Sequence, residues 1–528
     1  MIIWILCAVV VVVLLVLYIR QFYSLNKDGI KFHTPVPLLG NMTSVMLRRE
    51  HYVYNLQKYY NSFPEEKFVG RFEFITKFIL VRDIELIKKV AIKDFEHFTD
   101  HRSFDGESFF KKTLFLMKGQ EWKDMRSTLS PAFTSSKIRL MVPFMMEVGD
   151  QMIHSLNKKL EDAKDDYVDI DFKDLTTRYA NDVIASCAYG LKVDSQAEPN
   201  NQFYNMGKTL FDFNFVRMIM FFVLLNAPKV AKMLNWDIVP AAVRTFFTDL
   251  VLDTMKDRQQ RNIIRPDMIH LLMEAKKGKL SHDDKPNDNS TGFATVEESS
   301  IGLRKVVNRD WSDIDLISQA FIFFIAGFET ISTAMSFMMY ELAVNPDVQN
   351  RLVQEIKEND AKNGGKFDFN SIQSMSYLDM VVSEVLRRWP PAIAADRECT
   401  KDYNMGKPNK GSKQDFIIRR GTSVMIPTVA IHNDPQYFPQ PEKFDPERFS
   451  EENRHKINMN AYIPFGIGPR NCLGSRFALC ELKVMAYQLL RHMELSPCEK
   501  TCIPAKLAVD NLNIRLHGGH WLRVRPRK

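Results

Sequence analysis

The sequence lacks several features that would assign it to a common class of protein. Its seven cysteines are odd in number and irregularly spaced, which argues against a disulfide framework and favours a reducing compartment. The 71 lysines and arginines are spread along the chain, so the net charge of +7 does not indicate nucleic-acid binding. The sequence contains no internal repeat and no glycine-rich loop of the dinucleotide-binding type. What remains is a chain of 528 residues whose hydrophobic content, 45%, suffices for a large core.

The N-terminus lacks charge. Residues 1–19 carry no charged side chain and are almost wholly apolar, which is about the length needed to span a bilayer. Basic residues follow from Arg20 onward, so the positive-inside rule predicts that the rest of the chain is cytoplasmic. A cleaved secretory signal is the alternative, but no basic region precedes the run and no small-residue cleavage site ends it. We therefore expect a membrane anchor over residues 1–20 and a proline-containing linker over 21–41.

The remainder, residues 42–528, is predicted to be one mainly helical domain with a smaller β-rich lobe. Short β-rich runs separate helical patterns between residues 67 and 90, and the pattern from 119 to 274 is mainly helical. Residues 276–310 are rich in Lys, Asp, Asn, Ser and Gly, which predicts a mobile surface loop.

A long apolar helix is predicted to begin near Ser312 and to end before Pro346. Ser312 and Asp315 have the spacing of a capping box. The helix is apolar enough to be mistaken for a second membrane span, but acidic and polar residues, including Glu329 and Thr330, interrupt it.

The most informative stretch is residues 465–474, which read Phe-Gly-Ile-Gly-Pro-Arg-Asn-Cys-Leu-Gly. A lone cysteine, Cys472, cannot make a tetrahedral zinc site, whereas haem iron needs only one axial ligand from the protein. Gly466 and Gly474 permit close approach of a flat cofactor, and Arg470 offers a positive fork for a propionate. The alternative is a buried free cysteine in a glycine-rich turn.

The spacing Phe-x-x-Gly-x-Arg-x-Cys-x-Gly resembles the haem-binding signature of the cytochrome P450 family. Further stretches resemble other motifs of that family in the same order along the chain. They are residues 122–126, 326–330, 384–387 and 446–449. The N-terminal stretches 35–41 and 46–49 are similar to the insect family-nine branch of the microsomal class.

The resemblance implies the cytochrome P450 fold and haem b (heme b, iron protoporphyrin IX) as cofactor. Cys472 would be the metal ligand, at the N-terminus of a helix. The other cofactor-binding residues would be Phe465, Gly466, Gly474, Arg470, Trp122, Arg126 and Arg397, with a further propionate contact from His101 or Arg102.

Two other motifs carry expectations. In the stretch Ala-Gly-Phe-Glu-Thr over residues 326–330, Thr330 and Glu329 would be catalytic and handle protons; the alternative is a glycine at a helix crossing with a Thr–Glu pair bonded to neighbours. Glu384 and Arg387 would form a buried ion pair completed by Arg448, against the alternative of an ordinary surface pair.

The implied activity is insertion of one oxygen atom from O2 into small apolar substrates, chiefly xenobiotics. Electrons would come from NADPH through a separate NADPH–cytochrome P450 reductase, with cytochrome b5 as a second donor, at the cytoplasmic face of the endoplasmic reticulum (the microsomal fraction). A haem-thiolate isomerase and a haem-based gas sensor without turnover are the alternatives. The sequence does not identify the substrate.

Overall fold

A computed structural model describes residues 29–527 except 103–108, 212–214, 227, 278–292 and 296–309, together with Val12, Leu15, Val16, Tyr18, Ile19 and Leu25. Most of the predicted anchor and most of the predicted loop at 276–310 lie outside these described residues. Within them the chain is mainly helical with a smaller β region, which confirms the predicted fold class.

The α-helices of the described residues are α1 (Thr43–Met46), α2 (Tyr52–Asn61), α3 (Ile84–Lys88), α4 (Gly119–Leu129), α5 (Ser135–Arg139), α6 (Val142–Glu161), α7 (Phe172–Ile184), α8 (Gln202–Phe211), α9 (Phe215–Asn226), α10 (Pro228–Met233), α11 (Ala241–Arg261), α12 (Met268–Lys276), α13 (Asp313–Val344), α14 (Pro346–Asn363), α15 (Phe369–Ser374), α16 (Ser376–Arg388), α17 (Thr428–His432) and α18 (Ser475–His492). Short π-helical turns extend α3 and α7, over Lys89–Lys93 and Ala185–Tyr189. Single turns of 3₁₀ helix occupy Phe95–His97, Phe109–Lys112, Ser130–Phe133, Pro446–Phe449 and Arg454–Lys456.

The strands are β1 (Phe68–Glu73), β2 (Thr76–Val81), β3 (Val168–Asp171), β4 (Ala395–Glu398), β5 (Tyr403–Gly406), β6 (Phe416–Ile418), β7 (Ser423–Ile426), β8 (Met493–Ser496) and β9 (Trp521–Pro526). They form a mixed sheet of order β1-β2-β7-β4, a sheet of order β3-β9-β8 and the hairpin β5-β6. In the mixed sheet β2 and β7 are parallel, and the other two pairs are antiparallel. Strand β4 follows α16 closely, so the sheet carries Arg397 to the edge of the helical part.

Helix α13 is the central helix of the fold. It begins at the predicted capping box, where the Ser312 and Asp315 side chains each accept a bond from the other residue's backbone N–H. By length and composition it is the one helix among the described residues that could cross a membrane, and 61% of its most apolar stretch is buried in the protein. It packs against α7, α11, α16 and α18, so its apolar surface is covered by other helices.

The predicted Glu384–Arg387 pair is buried. Neither side chain is accessible to solvent, and Arg387 donates from Nε and Nη2 to the two Glu384 carboxylate oxygens at 2.7 and 2.8 Å. Arg387 also donates to the carbonyls of His432 and Pro441, both at 2.8 Å. The predicted third member, Arg448, lies 3.4 Å from Glu384 through its Nε. The pair therefore joins α16 to the segment that leads to the cysteine loop.

Replacing Arg387 or Glu384 by alanine is expected to destabilise the protein by about 3–5 kcal/mol, because the remaining partner is left as an uncompensated buried charge. Denaturant unfolding and the amount of bound haem would measure the loss. A matched control is Arg351→Ala, which removes an exposed ion pair with Glu447 and should cost at most about 1 kcal/mol. Equal stability of the Arg387 and Arg351 variants would show that the burial argument is wrong.

Candidate functional site

The loop before α18 has a backbone that depends on glycine. Gly466 and Gly468 have φ angles of +79° and +77°. A Cβ atom at Gly468 would lie 1.9 Å from the carbonyl oxygen of Ala91, so no other residue fits there without a backbone shift. The Cys472 amide donates to the carbonyl of Phe465 at 2.8 Å, which closes the loop. The loop therefore presents the Cys472 side chain in one fixed direction.

Cys472 lies inside the protein and yet has an accessible side chain. Among the cysteines that the structure describes it is the exposed one, whereas Cys187, Cys399 and Cys480 are buried. The surrounding protein is nevertheless dense enough that burial raises the pKa of the Cys472 thiol, against the opposing effects of the Gly474 amide and the charge of Arg126. An accessible thiol in such surroundings faces an interior cavity, and a metal ion there would hold it as a thiolate.

Three buried guanidinium groups surround this loop. Arg126 donates to the carbonyl and the side-chain oxygen of Asn471 at 2.9 and 2.6 Å. Arg397 is 1% exposed and donates to the carbonyl of Ile467 at 3.2 Å, while its Nε has no hydrogen-bond partner among the described residues. Burial lowers the pKa of Arg397 to about 10. Burial, followed by the charges of Arg397 and Arg126, lowers the pKa of Arg470 to about 9.

Arg470 is already engaged by the protein. Its guanidinium donates to the carbonyls of Thr99 at 2.8 Å, Leu114 at 3.2 Å and Met117 at 2.6 Å, and it lies 4.0 Å from the centroid of the Trp122 ring. The predicted propionate partner is thus also the residue that fixes the segment around 99–117 to the cysteine loop.

The remaining residues proposed for the cofactor occupy varied positions. Trp122 is 2% exposed and packs on Phe95, with ring centroids 5.7 Å apart. Phe465 is half-buried against the hydrophobic core. A Cβ at Gly474 would make only ordinary contact, 3.7 Å, with the Phe133 ring, so the surrounding protein does not require glycine there. His101 forms a 3.0 Å contact with the Asp396 carboxylate instead of standing free.

Helix α13 has one face that is accessible from within. Ala326 and Thr330 are exposed, and Ile322 and Phe323 are half-buried, although most of their neighbours on the helix are buried. These positions recur at helical spacing, so they share one face. The Phe323 ring packs edge-on against Phe133 at 5.3 Å, and this links the face to the segment beside Gly474. The face therefore borders an interior cavity lined mainly by apolar groups.

The two predicted proton-handling residues point in different directions. Thr330 donates from Oγ1 to the carbonyl of Ala326. Glu329 is 7% exposed and lies 3.3 Å from Lys173 on α7 and 3.2 Å from Arg515. Successive helical residues point about 100° apart, so the carboxylate sits beside the cavity face instead of on it. Gly327 packs on α7, where a Cβ would lie 2.8 Å from Ile184, as expected for a helix crossing.

Lys173 and Arg515 are partners of Glu329 that the sequence did not reveal. Lys173 donates to Ser332 Oγ at 2.8 Å and to Thr333 Oγ1 at 3.0 Å, in addition to its pairing with Glu329. Burial lowers the pKa of Lys173 to about 8. Both residues lie more than 150 positions from Glu329, at 156 for Lys173 and 186 for Arg515, and no spacing rule connects them. Lys173 lies among polar residues, between Asp171 and Asp174, so it resembles an ordinary surface lysine in the sequence.

The arrangement fits haem. An accessible interior thiol suits a metal ligand. The Arg397 Nε, which has no partner in the part of the chain that the structure describes, and the mutual repulsion of Arg126, Arg397 and Arg470 call for an anionic group nearby. Haem carries a metal ion that the thiol would bind and two carboxylates that the arginines would bind.

The comparisons with known proteins agree with this chemistry. The family described as Cytochrome P450 matches residues 30–514. Cytochrome P450 9e2 of Blattella germanica is 44% identical over 523 residues, covering 96% of this chain and 94% of the relative. Probable cytochrome P450 9f2 of Drosophila melanogaster is 40% identical over 520 residues, covering 96% of each chain. Cytochrome P450 6k1 of Blattella germanica is 35% identical over 504 residues, covering 95% of this chain and 92% of the relative.

These matches confirm the resemblance to the insect family-nine branch. They extend over nearly the whole chain, so the fold and the cysteine loop are compared together and not as an isolated motif. This chain belongs to the cytochrome P450 family, whose members are monooxygenases that bind haem b through a thiolate-ligated iron.

Proposed function

We propose that this chain inserts one oxygen atom from O2 into small apolar substrates, xenobiotics among them, and that the Cys472 thiolate would hold the haem iron. The observation that carries the proposal is an accessible thiol inside the protein with three buried guanidinium groups around the same loop. When bound, haem supplies the redox chemistry that activates O2. The second oxygen atom leaves as water, formed with two protons and two electrons.

Four buried side chains would hold the cofactor's carboxylates. Arg397 contributes its unpartnered Nε, and Arg126 and Trp122 contribute N–H groups from one face of α4. Arg470 acts at the same edge and keeps the segment around 99–117 in place through carbonyl bonds. Phe465, Gly466 and Gly474 shape the loop that surrounds Cys472, so ligation does not require the loop to reorganise.

Thr330 is the proposed proton-handling group at the cavity. Its hydroxyl hydrogen is given to the Ala326 carbonyl, which leaves the oxygen lone pairs facing the cavity, where they accept a bond from water or substrate. The rest of this face, including Ile322, Phe323 and Ala326, is apolar and excludes other water. A single polar group in an apolar wall keeps one hydrogen-bonded water or substrate group at a stated position and leaves the remaining wall for an apolar substrate.

Glu329 is proposed to deliver protons towards Thr330 from the charged cluster behind the cavity face. The Glu329 carboxylate lies 3.3 Å from Lys173 and 3.2 Å from Arg515, so two cations hold the side chain in one position behind the cavity face. Lys173 and Arg515 are positioning residues in this scheme, because they act through Glu329.

The electron donor is proposed to be NADPH through a separate reductase, with cytochrome b5 as a further partner, since the sequence has no dinucleotide-binding loop of its own. This separates the proposal from its alternatives. A gas sensor would consume no NADPH when reductase is added, and an isomerase would rearrange a peroxide without reductase. Product formation from apolar substrates that requires both reductase and O2 would support the monooxygenase; its absence across a panel of plant toxins, insecticides and insect lipids would count against it.

The proposed location is the cytoplasmic face of the endoplasmic reticulum membrane. Exposed apolar side chains support it, both in the linker and in α9 and α10; Leu38 is 48% exposed, Val216 64% and Met233 76%. Alkaline extraction of membranes tests the anchor: the full chain should stay in the membrane pellet, and a chain lacking residues 1–20 should be extracted more readily. Complete extraction of the full chain would contradict an anchor.

Cys472→Ala is expected to abolish turnover and the thiolate-type absorbance of the reduced carbon monoxide complex, because none of the other described cysteines lies in the 465–474 loop. The matched control is Cys480→Ala on α18, which removes a fully buried thiol and should retain the spectrum. A thiolate-type spectrum that persists in the Cys472 variant would rule out this ligand.

Thr330→Ala is expected to leave haem bound and to lower the product formed per NADPH by about tenfold or more, with peroxide released instead, since a positioned proton-transfer group contributes about 10²–10⁴-fold. Thr330→Ser keeps the hydroxyl and should restore most of the coupling. Unchanged product per NADPH in the alanine variant, with several substrates, would mean that Thr330 has only a structural role.

Product per NADPH is expected to fall as the pH rises through about 8, because Lys173 then loses its proton and Glu329 loses one of its two cationic partners. Lys173→Met should be poorly coupled at every pH and should lack this step, whereas Lys192→Met, which removes an exposed lysine, should behave as the parent.

Stability gives the opposite trend and so serves as an internal control. The pKa of Lys173 is lower in the folded protein than in the unfolded chain, where it has the ordinary value of 10.5. The unfolded state therefore binds more protons between about pH 8 and 10.5, and the contribution of this residue to stability rises with pH. A loss of coupling above pH 8 that follows a loss of folded protein would contradict the assignment.

A further inference from the structure

A short segment of the polar stretch between α12 and α13 is docked on the body of the protein. Phe293, Ala294 and Thr295 are described, with undescribed residues on both sides. Ala294 is 3% exposed, and the Phe293 ring packs against the hydrophobic core. Composition predicts a mobile surface loop over 276–310, but it does not account for an anchored segment in its middle.

The backbone of this segment is held by a carboxylate that also joins two helices. The Phe293 amide donates to Asp379 Oδ2 on α16 at 2.8 Å. The other oxygen of Asp379 lies 2.8 Å from Lys483 Nζ on α18, and the Lys483 side chain is 1% exposed. Asp379 therefore ties the segment to α16 and to α18, the helix that follows the cysteine loop.

The Phe293 ring completes an aromatic cluster. Its centroid lies 4.9 Å from that of Phe449 and 5.6 Å from that of Tyr462, and the latter two rings are themselves 4.9 Å apart. Tyr462 also stacks on His432 at 5.6 Å and donates from its hydroxyl to the carbonyl of Ser383 at 2.9 Å. With Phe293 in place, Tyr462 is 5% exposed.

This cluster leads directly into the cysteine loop. The amide of Ile463 donates to His432 Nε2 at 2.9 Å. Ile463 in turn accepts the amide of Gly466 at 3.0 Å, and the Phe465 carbonyl accepts the amide of Cys472 at 2.8 Å. The chain from the Phe293 ring to the thiol is therefore continuous, through packed rings and then through backbone bonds.

We propose that Phe293 is a positioning residue for the Cys472 loop, supplied by the stretch between α12 and α13. Its ring covers Tyr462 and Phe449, and its amide bond to Asp379 keeps it there. Covering Tyr462 restricts the backbone at 462–463, which sets the start of the loop. The inference about the loop rests on the proposed role of Cys472 as the haem ligand. The docking of Phe293 on the protein is independent of that role.

The test is the haem-loaded Phe293→Ala variant of the full chain. The reduced carbon monoxide complex should change from the thiolate-type to the thiol-type spectrum on the order of tenfold faster at raised temperature, since two aromatic contacts are lost. Hydrogen exchange of the amides at 462–463 should also become faster. Phe293→Leu should recover part of both effects because it keeps an apolar cover.

The matched control is Phe367→Ala. Phe367 is 8% exposed and stacks on Tyr487 of α18, with ring centroids 3.5 Å apart. Its loss therefore perturbs α18, the helix that carries Lys483, at a place away from the aromatic cluster. The Phe367→Ala variant should have a lower overall stability. Its spectral change should not become faster by more than its unfolding does. Equal behaviour of the two variants, or an unchanged spectrum in Phe293→Ala, would overturn the proposal.

The outcomes separate this proposal from the proposed function. If Cys472→Ala loses the thiolate-type spectrum while Phe293→Ala leaves it and the amide exchange unaltered, the ligand assignment stands and the positioning role fails. If Cys472→Ala retains the spectrum, the ligand assignment fails, and amide exchange at 462–463 still reports whether Phe293 is docked.

Discussion

Arg387 holds several parts of the structure together through one guanidinium group. It donates to both oxygens of Glu384 and to the carbonyls of His432 and Pro441, and the two charged side chains are fully buried. Removing two charges from water costs several kcal/mol per ion, and the cost is recovered only if the geometry is kept. His432 in turn accepts a hydrogen bond from the amide of Ile463, which lies at the start of the cysteine loop. The ion pair thus specifies an arrangement more than it adds stability.

Around the cysteine loop, in contrast to the Glu384–Arg387 pair, buried positive charges lie close together and repel one another. Arg126, Arg397 and Arg470 are buried close enough to lower the pKa of Arg470, and burial raises the pKa of the Cys472 thiol. Each effect opposes the charged form of its group. A group with anionic edges and a central metal cation relieves both, so the protein around the site is complementary in charge to haem. The fold tolerates the imbalance because Arg387 and the glycine-dependent loop hold the backbone in place.

Helix α13 places the two proposed proton-handling residues in different surroundings. Thr330 lies on a face that borders the cavity, and Glu329, the preceding residue, lies in a cluster with Lys173 and Arg515. The Glu329 carboxylate is paired with two cations, and the apolar cavity is spared a carboxylate. Because adjacent residues of a helix point about 100° apart, Glu329 can lie next to the apolar cavity without its carboxylate facing it.

Local patterns in the sequence determined the fold class, the start of α13 at its capping box, the buried pairing of Glu384 with Arg387 and the glycine-dependent loop around Cys472. These features depend on periodicity, on helix caps and on spacings of a few residues. Such local signals can be read from the sequence without knowledge of the tertiary structure. Tertiary structure alone decided that Lys173 and Arg515 meet Glu329, that Arg470 also binds the carbonyls around 99–117, and that Phe293 docks beside Tyr462. Those partners are separated by more than 150 residues, and burial in a shared low-dielectric interior, not local pattern, brings a charge or a ring to its partner.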